Sequence, residues 1–154
     1  MMLEKIMFRN REELTNARQH LHVLQTKVER TMSLLVLRFE IWKDEDDYES
    51  SLGEVIEQCL ESLHILDEHF KQVSVNGLLE RAITQHPSLT PILKDIEKWQ
   101  LAIVSDFREL ITELESEPIC PERILQHRHT IRRLQNEILA EGKQERHLLE
   151  RGWT

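Results

Sequence analysis

Apolar residues recur at every seventh position along the first third of the chain, at Leu14, Leu21, Val28, Leu35 and Trp42, and again at Leu52, Cys59, Leu66 and Val73. A seven-residue beat keeps one face of an α-helix apolar over many turns, so it predicts helices packed lengthwise on helices. In the first segment, about residues 10–43, a second row at Ala17, Leu24, Thr31 and Arg38 completes a coiled-coil stripe. Over its last third Met32, Leu34, Leu35, Val36, Leu37, Phe39, Ile41 and Trp42 surround the helix, which calls for several covering neighbours.

Breakers divide the rest. The second segment, 52–75, carries Leu52, Ile56, Cys59, Leu63, Leu66, Phe70 and Val73 on one face. Asn76 and Gly77 are expected to end or kink it before a short continuation over 78–86. A third helix is predicted over 91–116, with Thr90 as N-cap, Pro91 in the first turn and a buried line of Ile92, Ile96, Trp99, Ile103, Phe107, Leu110 and Leu114. Pro121 opens a fourth over 121–150, whose line Ile124, Ile131, Leu134 and Ile138 gives way to a polar stretch from Ala140 to His147. That helix is expected to outrun the core. The fold predicted is all-α: an elongated antiparallel bundle of about four long helices with coiled-coil-like seams, forming a single domain over 1–154.

Composition agrees with this picture. The 154 residues hold only four glycines and four prolines, few enough for long uninterrupted helices, and 40% are hydrophobic. The net charge of -8 disfavours a general binder of nucleic acid or anionic membranes. The segment Glu40 to Glu68 alone carries eleven acidic residues against Lys43. Cys59 and Cys120 form neither a disulfide framework nor a paired zinc motif, which suggests a reducing compartment. The short, charge-interrupted apolar start from Met1 to Phe8 does not read as a secretory signal, and no run reaches the ~20 residues of a membrane span. A soluble, cytoplasmic protein is expected.

Candidate chemistry is sparse. Glu61, His64 and Glu68 share a helix face, but no second Glu-x-x-His pair completes a bundle metal site, and His20/His22 and His127/His129 point apart on a helix. Neither a metal nor any other cofactor is expected. The stretch Arg81-Ala-Ile-Thr-Gln-His86 resembles the Arg-x4-His motif of HEPN-type ribonucleases, although Ala82 replaces their usual polar residue. That resemblance implies Arg81 and His86 as catalytic residues. It gives an alternative reading, RNA binding or cleavage, supported by a basic stripe of Arg123, Arg128, His129, Arg132 and Arg133. The same stripe is better satisfied by Asp44 to Asp47, within the chain or in another copy, or by water.

Surface for partners remains. Met2, Ile6 and Phe8 precede the regular seam, and Leu148, Leu149 and Trp153 follow the polar gap. Asp44, Asp46 and Asp47, with Arg128 and Arg132, offer charge for register and partner choice. The function expected is therefore non-enzymatic: a protein-protein interaction module acting as adaptor, chaperone-like subunit or scaffold, with other proteins as partners and a homodimer possible.

Overall fold

The structure is a computed structural model that describes residues 2–42, 44, 47–74 and 77–153, with the side chains of 2–10 outside the description. Among the described residues it is an all-α bundle without a strand. The helices are α1 (Met2–Trp42), α2 (Leu52–Val73), α3 (Glu80–Gln85), α4 (Thr90–Ser116) and α5 (Pro121–Arg151), with a 3-10 turn at Pro87–Leu89 before α4. The 41 residues of α1 make a rod of about 60 Å. No helix among the described residues is long and apolar enough to cross a membrane.

Each long helix packs on two others: α1 on α2 and α5, and α4 on α2 and α5. The direction of each follows from two apolar clusters that occupy opposite ends. One cluster holds Val28, Leu35, Phe39 and Trp42 of α1, Val55 to Phe70 of α2, Ile103 to Leu114 of α4 and Ile124 to Ile138 of α5. The other holds Leu21, Val73, Leu79, Leu89, Ile96, Leu148 and Leu149. Thus α1 and α4 run from the second cluster to the first while α2 and α5 run back, an up-and-down arrangement.

Local chemistry sets the ends. Pro121 sits in the first turn of α5, behind an extended Cys120. Thr90 is already helical, and its hydroxyl donates to the Pro87 carbonyl at 2.7 Å instead of capping α4. The chain from α1 to α2 is tied down where the Trp42 indole donates to the Tyr48 carbonyl at 2.8 Å. At the far end α3 lies on the close of α5 so tightly that a Cβ on Gly152 would stand 2.1 Å from the Ala82 Cβ. Only glycine allows that approach.

Besides the expected Thr90 cap, three further expectations from the sequence differ from the structure. On α1 the row accompanying Leu21, Val28, Leu35 and Trp42 is Gln25, Met32 and Phe39, because these complete a four-three step toward the core. Ala17 and Leu24 are only partly buried, against the second cluster. On α4 the seam position beside Ile96 and Ile103 belongs to buried Gln100, whereas Trp99 is half-buried. Finally, α5 does not outrun the core. Its polar stretch includes Glu141, Gly142 and Glu145, all buried, and the core resumes at Leu148.

Candidate functional site

The two apolar clusters are separated by a layer to which every long helix contributes a polar side chain. Gln25 lies between Leu21 and Val28 on α1, His69 between Leu66 and Val73 on α2, and Gln100 between Ile96 and Ile103 on α4. Glu141 and Glu145 lie between Ile138 and Leu148 on α5. The α5 pair is one turn apart, so both carboxyls leave the same face, and they are 1% and 0% exposed.

Burial of this kind is tolerated only with partners. The His69 Nε2 lies 3.0 Å from Glu145 Oε1 and 3.2 Å from Oε2. Gln25 Nε2 donates to the same Glu145 Oε1 and to the Gly142 carbonyl, each at 2.9 Å. Gln100 Nε2 donates to Glu141 Oε1 at 3.1 Å. The amide oxygens are anchored in turn: Arg146 Nη1 donates to Gln25 Oε1 at 2.6 Å, and the Ser74 hydroxyl donates to Gln100 Oε1 at 2.8 Å. Two chains, Arg146-Gln25-Glu145 and Ser74-Gln100-Glu141, therefore aim the carboxyls inward. Nδ1 of His69 has no hydrogen-bond partner although the ring is buried.

The two carboxyls divide their roles. Burial, reinforced by the neighbouring Glu145, pushes Glu141 up to about 10, so it holds a proton at neutral pH. Burial acts to raise Glu145 too, but hydrogen bonds from His69, Glu141 and Gln25 outweigh it and hold this carboxyl below the usual range. One carboxylic acid thus stands against one carboxylate, with an imidazole across from them. Such a set can hold a proton or a cation. The Cys59 thiol, elsewhere in the core, is pushed up to about 12 by burial, which keeps it from ionising.

The carboxyl pair was readable in principle, since Ile131, Leu134, Ile138, Glu141, Glu145 and Leu148 continue the seam's three-four step without a break. His69 holds the same three-four step between Leu66 and Val73, a signal overshadowed by the apolar Phe70 beside it. The face of Glu61, His64 and Glu68 points to solvent.

The other residues singled out from sequence lie apart from this layer. Arg128 and Arg132 both meet Glu40, the former with Nε 3.4 Å from the carboxylate. The basic stripe thus does face acids of the same chain, Glu40 for these two, Glu117 for Arg123, and Asp106 and Glu137 for Arg133, whereas Asp44 and Asp47 are exposed in the α1-α2 connection. Asp46 lies outside the described residues, as do the side chains of Met2, Ile6 and Phe8. Leu148 and Leu149 are not surface residues: they fill the second cluster, because the polar gap before them is itself part of the core. Trp153 is half-buried beneath the Arg81 guanidinium, which stands 4.6 Å from its ring and also pairs with Glu13. His86 ends α3, its N–H donating to the Ala82 carbonyl at 2.9 Å.

One further feature is at the surface. Leu34, Leu37 and Ile41 follow one another by three and four residues along the outer face of α1, and Val23 lies on the same line. These four are between 50% and 64% exposed. Among the described residues the other exposed leucines, Leu60, Leu101, Leu125 and Leu139, form no such run on any one helix. Lys27 and Arg30, both exposed, occupy the two steps between Val23 and Leu34.

Comparison with protein-family models, with curated proteins and with solved structures gives no match in any of the three.

Proposed function

We propose that the chain is a non-enzymatic interaction module that binds an amphipathic helix of a partner protein on the outer face of α1. The observation that carries this reading is the run Leu34, Leu37 and Ile41, extended by Val23. It is a second seam on a helix whose first seam is already filled by its own bundle. Sequence alone asked for neighbours on every side of this stretch, and the chain's own helices supply them on the inner side. Apolar residues at that spacing are the anchor pattern of helix-on-helix recognition. Lys27 and Arg30 along the same face favour a partner helix whose flanking positions are acidic.

The test compares capture of partners from the source cell by the purified chain, by Leu34→Glu/Leu37→Glu and by Leu101→Glu as a surface control. A stoichiometric partner held by the first and third and lost from the second supports the proposal. Equal capture by all three, or self-association of the chain through this face in sedimentation, contradicts it.

A further inference from the structure

We propose that the polar layer is a binding site for one divalent first-row transition-metal ion, with Glu141, Glu145 and His69 as its protein ligands. The three offer ligand atoms lying within 4.8 Å of one another, and they are the one such group among the described residues. Ligand atoms around a single tetrahedral ion at ~2.1 Å stand about 3.4 Å apart, so side-chain adjustments that shorten the longest separation by about 1.4 Å close the set. Space is present beside them: Gln25, His69, Glu141 and Gly142 line a small cavity with room for a single water-sized particle.

Charge and orientation point the same way. With its proton released, Glu141 joins Glu145 as a second carboxylate, together the charge that a divalent ion neutralises, and among the described residues the hydrogen bonds to these carboxyls come from Gln25, His69 and Gln100 and not from Lys or Arg. At the layer's edge Arg146 is turned to the oxygen of Gln25. The amides of Gln25 and Gln100 donate to Glu145 and Glu141 and so act as the outer hydrogen-bonding shell that fixes ligand carboxylates. One nitrogen and two carboxylates suit zinc, manganese, iron(II) or cobalt; calcium and magnesium prefer an all-oxygen set. The ligands come from facing helices of a bundle core, α2 and α5. Binding replaces the proton held between Glu141 and Glu145 and releases it to solvent.

The experiment uses the full chain, stripped with a chelator and then exposed to Co2+ alone or Zn2+ alone, both folded and during refolding so that burial does not hide the site. One equivalent of Co2+ with visible d-d absorption, displaced by Zn2+, is the expected result. Glu141→Gln keeps the shape and hydrogen bonding of the layer and should lose this signal, while His64→Ala and His147→Ala, both on exposed histidines, should retain it. X-ray absorption of the Zn2+ form of the wild-type chain should count one imidazole among oxygen ligands, a readout independent of how any variant folds. Absence of stoichiometric binding under both conditions, equal binding by Glu141→Gln, or a sulfur- or multi-histidine shell would overturn the assignment.

Discussion

Across the interface of α2 and α5, the His69 ring places Nε2 3.0 Å from Glu145 Oε1, deep in a bundle that is apolar on either side of the pair. Removing one member of a buried, hydrogen-bonded pair leaves the other uncompensated, at a cost of about 3 kcal/mol or more. Glu145→Ala and His69→Ala are each expected to destabilise the metal-free chain by that order, and the double variant by clearly less than their sum. Urea unfolding of the four proteins measures the coupling; additive losses would show that the two side chains do not act together.

His127 gives the fold a dependence on acid. Burial lowers its pKa below the usual 6.5, and Arg123 adds to this, while Glu113, whose carboxylate lies 3.9 Å from Nδ1, opposes it. Above the ordinary value neither folded nor unfolded chain binds the proton, and this contribution to stability is whole. As pH falls below that value the unfolded chain takes up a proton that the folded one still refuses, so stability declines. Wild type should lose more stability than His127→Leu between roughly pH 8 and pH 5. Parallel unfolding free energies for the two proteins across that range would contradict the assignment.

The two thiols should differ in reactivity. Cys59 is buried among apolar side chains and Cys120 is partly open in the turn before α5. An aromatic disulfide reagent at mildly alkaline pH should modify one thiol per native chain, at Cys120, and both after denaturation. Rapid labelling of Cys59 in the native state would show that the core opens there.

Gly152 tests the packing of α3 on α5. Its missing side chain leaves the space that the Ala82 backbone occupies, with the Ala82 Cα only 2.6 Å from where a Cβ would stand. Gly152→Ala should cost about 1 to 3 kcal/mol, as overpacking does, and loosen Arg81 from Trp153. Unchanged stability and unchanged Trp fluorescence would mean that the two segments do not meet so closely.

The architecture was legible because the seams are long: a heptad row sustained from Leu14 to Trp42 leaves no reasonable strand or loop reading, and Pro91, Pro121 and Gly77 mark ends by their own backbone chemistry. The polar layer is hidden in the sequence because its members are polar residues at positions where the seam pattern is recognised by hydrophobicity. Gln25, Gln100, Glu141 and Glu145 hold seam positions, and Trp99, though apolar, does not. Metal-ligand spacing is legible only within a single helix, whereas His69 meets Glu145 from 76 residues away. Such a meeting depends on the register of two helices, which no local pattern encodes. The outer stripe of α1 was visible as excess hydrophobicity, yet only the packed bundle distinguishes Leu35 and Phe39, which are covered, from Leu34 and Leu37, which are not.

The claim that α1 carries the partner-binding face is tested most directly by a photo-crosslinking amino acid at position 37, compared with the same group at position 101, followed by mapping of the attached peptide. The account predicts an adduct from position 37 alone, joined to an amphipathic helix of another protein with acidic residues beside its apolar face. Adducts of equal yield from both positions, or a peptide of this same chain attached at position 37, would contradict it.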